Sequence, residues 1–283
     1  MSRALCLIQA NCQGDPLVEL LAAHPDFSQA FETRLYVNYT RQPVPETDLA
    51  SCAVFLHQWL EEKWGGLSSP VLRAKVSPSC RALCLPNVYC KQYWPLIDSN
   101  PVINYSDAFL NLLVDKGLEK REILHLYTRS DLTRYFDLEG IFADSWDQEY
   151  EKEERWDVKV TDLVRALFRE ERLFNTVNHP RGRLTLHVAQ EVLRLLGFAP
   201  LPEETARAAA DPYPEFELPI HPQVAALHGL PFADAHTLYN LYGRPGTFLE
   251  YVNHYLDCRA LGIDDFISYL RVKALDPETE AGA

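Results

Sequence analysis

Residues 4–17, ALCLIQANCQGDPL, read as a strand that breaks into a turn and opens a helix. Ala4 to Gln9 is a short apolar run, and Asn11-Cys12-Gln13-Gly14-Asp15 supplies turn residues. Pro16 then opens a segment with Leu17, Leu20, Leu21 and His24 on helical spacing. Working outward, residues 33–38 (TRLYVN), 53–58 (AVFLHQ) and 81–86 (RALCLP) have the same strand-like character. Short apolar strands separated by helical or loop segments imply a parallel sheet, because a parallel pair needs a crossover that usually contains a helix. Ligands of such sheets bind at the carboxyl ends of the strands. That rule puts Asn11 to Gly14, His57-Gln58 and Pro86-Asn87 on one rim, although the order of the strands is not legible in the sequence.

Beyond about Asn100 the pattern changes to helical periodicity at 108–114, 157–171, 184–196 and 247–256, without comparable strand-like runs. The expected fold is α/β: an N-terminal parallel-sheet half over about 1–100, Rossmann-like in its strand pattern, then a mainly helical half over about 101–283, in a single compact unit. The charge run DQEYEKEER at 147–155 is expected on a solvated loop or helix face. The proline-rich residues 200–222 are expected to form a long surface connection, and 276–283 a frayed tail. Tyr251, Tyr255, Phe266 and Tyr269 are read as core, the alternative being an interface in a homo-oligomer.

The chain has 283 residues, 47% of them hydrophobic and 24% charged, which fits a packed globular protein. Its net charge of −13 opposes the phosphate backbone and argues against nucleic acid as a partner. No charged-then-apolar leader follows Met1, and no apolar run approaches the roughly 20 residues that span a bilayer, so neither a signal peptide nor a membrane span is expected. Seven cysteines, an odd number without small-domain disulfide spacing, point to thiols in a reducing cytoplasm. Cys80, Cys84 and Cys90 lack the paired spacing of zinc sites, so no metal is expected. G-x-G-x-x-G after the first strand, G-x-x-x-x-G-K-[ST], G-x-S-x-G and H-E-x-x-H are all missing, and a nicotinamide oxidoreductase, a P-loop nucleotidase and an ordinary α/β-hydrolase are disfavoured.

Cys12 lies between a strand and a helix, near free backbone N–H groups and the positive end of the helix dipole, which is expected to lower its pKa and favour a nucleophilic thiolate. The same N–H groups suit an oxyanion. A small residue that merely fits a tight turn would also occupy this position. Asn178-His179-Pro180 marks a break in the chain that can present His179 to a cleft, with a pKa suited to a general base. Gln58 either donates to an oxyanion or caps a nearby turn. His57 alternates with it across the strand and reads as a core histidine. Arg181 and Arg183 are candidates for binding phosphate or carboxylate, or are ordinary surface arginines.

At these clusters the sequence resembles the WcbI-type family of capsular-polysaccharide biosynthesis acetyltransferases. The resemblance rests on NCQG at 11–14, on His57-Gln58, on LPNVYCKQYWP at 85–95 and on DVKVTDLVRALFREERLFNTVNHP at 157–180. It implies acyl transfer from acetyl-coenzyme A to a sugar-like hydroxyl, with Cys12 and His179 as the catalytic pair. Asn11, Gln13, Gly14, Tyr89, Tyr93, Arg181 and Arg183 are then the expected coenzyme A contacts. The tyrosines and Trp94 would wall the pantetheine arm, or else pack in the core. The sequence is also similar to esterases whose serine follows the first strand, with Cys12 in the serine's place, a likeness that implies an SGNH-like form for the parallel-sheet half. Where those carry an aspartate three positions before the histidine, this chain has Thr176, so Asn178 or a residue elsewhere would orient the imidazole. An esterase or thioesterase with water as acceptor, and a non-catalytic module that keeps the cleft, are the alternatives.

Overall fold

The computed structural model describes residues 3–98 and 103–275. The expected tail at 276–283 lies outside the described residues. The chain forms two compact units, one from Met1–Tyr89, Gln148–Leu167 and Asn178–Pro212, the other from Cys90–Asp147, Phe168–Val177 and Tyr213–Ala283.

The first unit is built on four parallel strands: β1 (Ala4–Ala10), β2 (Phe31–Val37), β3 (Val54–Gln58) and β4 (Arg81–Leu85), in the order β2-β1-β3-β4. The expected α/β fold is therefore present, a parallel sheet in the N-terminal part followed by mostly helical segments. In β3 every residue is buried, and β1 is buried from Cys6 to Ala10. That is why these strands read as continuous apolar runs and not as alternating ones. Edge strand β2 is only partly covered.

One face of the sheet packs on Leu49, Cys52, Leu60, Leu67 and Leu72 through Leu7 and Phe55. The helices Gly14–Ala22 and Gly182–Leu196 pack against each other in the same unit. Gly14 is required where the first helix starts, since a Cβ there would meet Leu35 Cδ1 at 2.7 Å and Ala10 Cβ at 3.0 Å.

β1 is flanked by β2 on one side and β3 on the other, so successive crossovers leave it in opposite directions. The carboxyl ends of β1 and β3 thus border the topological switch point, where open α/β sheets form their ligand crevice. Asn11 to Gly14 and Gln58 lie at that point.

The second unit is mainly helical, with helices Ala108–Asp115, Lys120–Arg129, Pro222–His228, Phe248–Ala260 and Phe266–Leu275. Asp107 caps the first of them, accepting from the Phe109 and Leu110 N–H groups at 2.9 Å each, and Thr247 with Glu250 forms a capping box on the fourth. Tyr251, Tyr255 and Phe266 are buried within this unit.

Short strands do occur in the chain's second part, contrary to the sequence reading. Tyr239–Leu241 and Arg244–Gly246 pair as a hairpin whose two turn residues, Tyr242 (φ 59°) and Gly243 (φ 87°), are both left-handed. Residues 200–222 are also more than a surface connection. They include the helix Glu203–Ala208, and then Phe216 and the continuous run 218–221 are buried, a core segment hidden among prolines. The charge run at 147–155 falls largely on the helix Leu138–Glu153, as one of its expected alternatives, yet Glu149 is buried and its carboxyl is raised because burial outweighs the neighbouring Lys152.

Candidate functional site

The turn after β1 is held from every side by side-chain amides. Asn11 Oδ1 accepts the Gln13 N–H at 2.9 Å and the Asn11 carbonyl accepts the Gly14 N–H at 2.9 Å, closing a tight turn around Cys12. The Asn11 N–H donates to Gln58 Oε1 at 2.8 Å, and Asn11 Nδ2 to Asn87 Oδ1 at 3.2 Å. Gln58 Nε2 donates to Gln13 Oε1 at 3.2 Å and to the Pro86 carbonyl at 3.0 Å. The residues following β1, β3 and β4 therefore meet on one rim, as the sequence implied, through a network that fixes the turn's backbone.

The fourth contribution comes from residues 178–179. Gln13 Nε2 donates to the Asn178 carbonyl at 2.8 Å and to the Val88 carbonyl at 3.3 Å. Asn178 Nδ2 points at Cys12 Sγ at 3.9 Å. The segment that carries His179 is thus fastened to the turn that carries Cys12. His179 itself is half-buried, in the two-residue strand His179–Pro180.

The electrostatics of Cys12 differ from the sequence expectation. Burial pushes the thiol up to about 11, the N–H groups of Cys12 and Gln13 pull it back only in part, and Asp15 adds to the rise. The favourable backbone is present, but desolvation of the sulfur outweighs it. A thiol of this kind is protonated near neutrality and needs a base at the moment of attack. Alkylation of Cys12 by iodoacetamide, followed by peptide mass mapping, is accordingly expected to rise about tenfold per pH unit from about pH 7 to about pH 10. A plateau below pH 9 would contradict this environment.

The remaining candidates separate clearly. Gln58 is 1% exposed and spends both amide hydrogens on Gln13 and Pro86, so it braces the turn, the second of its two expected roles. His57 is wholly buried, stacked on Phe55 and in contact with Ser69 Oγ at 3.3 Å, and burial lowers it to about 4. It is the core histidine that strand alternation suggested. Gly14 is buried by its close approach to β2, and its N–H donates to the Asn11 carbonyl, so it packs the turn.

Tyr93 is 0% exposed in the second unit, where its hydroxyl donates to the Phe168 carbonyl at 2.6 Å. The core alternative holds for it, and for Trp94, whose indole N–H donates to the Pro219 carbonyl. Tyr89 is half-buried. Arg181 is ion-paired with Asp211, which also accepts the Gly182 N–H at 2.7 Å, while Arg183 is exposed. Thr176 is fully buried.

One contributor escaped the sequence reading. Asp211, which holds Arg181 and the Gly182 N–H, lies in a proline-rich stretch that gave no signal. Gln13 and Asn87 were placed at the rim, but not the bonds they make there: the Gln13 amide bridges to the Asn178 carbonyl and Asn87 Oδ1 accepts from Asn11.

Two cavities border these elements within the first unit. A small apolar one of about 30 Å³ lies against Gln13, Gln58, Leu17, Pro180 and Leu184. A larger one of about 350 Å³ lies against Pro16, Leu20, Ala23, Gly182, Thr205 and Ala209.

The sequence profile of the polysaccharide biosynthesis enzyme WcbI matches residues 5–201. The chain belongs to the WcbI family. The match takes in the Cys12 turn, the ends of β3 and β4 and the Asn178-His179 segment together. A solved structure of WcbI, described as a novel polysaccharide biosynthesis enzyme and as the native protein without a disulfide bond between coenzyme A and one of its cysteines, is similar over 98% of this chain and 96% of that one, with a TM-score of 0.76 and 19% identity. That likeness establishes the WcbI fold for this chain. No curated protein matches the sequence. Among the described residues, no helix is long and apolar enough to cross a membrane.

Proposed function

We propose that this WcbI-family enzyme transfers an acyl group from a coenzyme A thioester to a hydroxyl of a sugar or polysaccharide precursor, with Cys12 as nucleophile and His179 as base. The observation that carries the reading is the fastening of the Asn178-His179 segment to the Cys12 turn, through Gln13 on the Asn178 carbonyl and the Asn178 amide at 3.9 Å from the sulfur. The WcbI relative described in terms of coenzyme A and a cysteine supports the choice of donor.

In this reading the imidazole of His179 takes the Cys12 proton as Sγ bonds to the thioester carbonyl carbon. The C–S bond to coenzyme A breaks, and the departing sulfur takes the proton from the imidazolium. The acceptor hydroxyl then gives its proton to the imidazole and attacks the acyl-cysteine, and the proton passes back to Sγ. The carbonyl oxygen gains charge in both steps, and donors near the sulfur are needed to hold it. The Cys12 N–H and the Asn178 amide suit that task better than Gln58, whose amide hydrogens are already spent.

The raised thiol pKa accords with proton transfer coupled to attack, in place of a standing thiolate. The test is incubation with acetyl-coenzyme A, with and without a panel of sugar acceptors, following free coenzyme A and the mass of the Cys12 peptide. An acetylated Cys12 that discharges only when acceptor is added is the expected result. No coenzyme A release and an unmodified Cys12 would reject the reading, and full-rate release of free acid without acceptor would make the enzyme a thioesterase.

A further inference from the structure

The second unit contains a cavity of about 40 Å³ that the proposed acyl transfer does not use. Its lining is aromatic, with Trp94, Tyr105, Tyr127, Phe248 and Tyr251, and carries one carboxylate, Asp107. At about 10–15 Å³ for each water, the space suits about three waters or a ligand of about three non-hydrogen atoms, and not a sugar ring. Ile97 and Tyr105 are only half-buried and give the cavity a side towards solvent.

Asp107 is held firmly, but by neutral donors alone. One carboxylate oxygen accepts the Phe109 and Leu110 N–H groups at 2.9 Å each. The other accepts the Tyr127 hydroxyl at 3.0 Å and has room for a second donor. Among the described residues of the lining there is no Lys or Arg, and Arg259, whose charge reaches Tyr255, stands outside it. His221 does not supply a cation either. Burial lowers it to about 4, and its ring nitrogens are engaged with the Tyr127 carbonyl and the Gln223 N–H. Asp98 adds a second negative charge that Asp107 feels. The cavity therefore repels anions and lacks a positive charge.

Tyr251 gives an independent sign of a ligand. It is 5% exposed, and its hydroxyl has no hydrogen-bond partner among the described residues. A buried polar group left in this state is costly and calls for a partner. Burial, the neighbouring Tyr255 and Tyr105 and the Asp107 carboxylate hold this hydroxyl well above the usual phenol range, so the neutral oxygen that can accept a bond is also near Asp107.

We propose that this cavity binds the ammonium group of a small protonated primary amine. One N–H donates to Asp107 Oδ2 and another to the Tyr251 oxygen, while the surrounding rings add cation–π attraction and cover the alkyl stem. A neutral alcohol of the same size could bond to both groups, but would leave the carboxylate's charge unbalanced in a poorly solvated site. The site does not depend on the acyl-transfer chemistry, since no residue of the Cys12 turn or of the 178–179 segment lines it.

The experiment is a saturation-transfer NMR titration of the full chain at about pH 8, where Asp107 is ionised, with ethylammonium chloride and with ethanol as its neutral counterpart of matched size. Ethylammonium is expected to bind with a Kd on the order of 1 mM, near the limit for three non-hydrogen atoms, and ethanol at least about tenfold more weakly. Asp107→Asn is expected to lower ethylammonium affinity at least about tenfold and Tyr251→Phe about threefold or more. Tyr251→Phe removes only an unpartnered hydroxyl and keeps the ring, so it decides the matter if Asp107→Asn fails to fold. Equal binding of ethanol and ethylammonium overturns the proposal, as does parent-like ethylammonium binding by the folded variants. Binding abolished by an equal concentration of potassium chloride would be general attraction to an acidic protein and overturns it too, and so would no binding of ethylammonium at all.

Discussion

Cys12→Ala is expected to abolish acyl transfer, lowering kcat/KM by about 10³-fold or more, because it removes the atom to which the acyl group bonds. His179→Ala is expected to cost about 10²–10⁴-fold, the usual contribution of a positioned general base. Gln13→Ala tests the architecture itself. Its side chain touches neither reacting atom in the proposed reaction, but it ties the Asn178 carbonyl to the turn at 2.8 Å and accepts from Gln58. Releasing that tie lets His179 and Cys12 drift, and misplacement of about 1 Å can cost about 10²-fold. The loss should fall mainly in kcat, with KM for the thioester little changed. Gln13→Ala should also destabilise the first unit by about 1–3 kcal/mol, since it leaves part-buried amide partners unsatisfied. Steady-state kinetics with thermal melts on the three variants decide the matter. Parent-like turnover by Cys12→Ala or His179→Ala would end the assignment, and an unchanged kcat in Gln13→Ala would show that the amide tie is structural only.

Much of the sheet was legible because its central strands are buried on both faces. The runs at 4–9 and 53–58 had no polar alternation to confuse them, and their ends fixed the rim. What the sequence withheld was the order β2-β1-β3-β4, which depends on crossover direction and leaves no trace in composition. With the order known, the switch point picks out Cys12 on physical grounds independent of any family likeness. Short elements were missed for a different reason. Tyr239–Leu241 is too brief to show a period, and the buried segment of Phe216, Leu218 and Ile220 is masked by Pro212, Pro214, Pro219 and Pro222.

The candidate site was legible in its residues but not in its bonds. Cys12 and Asn178 were chosen as turn and break residues, and both do lie together. The direction of the Cys12 shift was misread because a turn at a helix start announces its N–H groups in sequence, whereas burial of the sulfur depends on what packs around it. Tyr93 illustrates the same limit: an aromatic in a motif reads as a wall, and only the fold reveals its hydroxyl bonded to the Phe168 carbonyl.

Acid should destabilise both units between about pH 6.5 and pH 4, through histidines that are buried uncharged. His57 in the first unit and His221 and His228 in the second are each lowered from 6.5 to about 4, with burial the leading cause. The unfolded chain binds these protons first, so the stability they contribute is intact above the unfolded value of 6.5 and is lost as pH falls through the folded value near 4. Each shift corresponds to about 3 kcal/mol. In the second unit Asp107 works in the opposite sense. Burial raises its carboxyl from 3.8 to about 6, so protonation below pH 6 favours the folded state and returns about 3 kcal/mol. From these four groups the loss is about 3 kcal/mol in either unit, offset in part in the first unit by Glu149, whose carboxyl burial also raises; it is a large part of a stability of about 5–15 kcal/mol. Urea melts followed by far-UV circular dichroism at pH 7 and pH 4.5 should show the midpoint falling. His57→Phe, which keeps the stacking on Phe55 but cannot titrate, should flatten the fall for the transition of the first unit. A urea midpoint that does not move between the two pH values would mean that these imidazoles reach water in the folded protein, and the buried-histidine account would have to be given up.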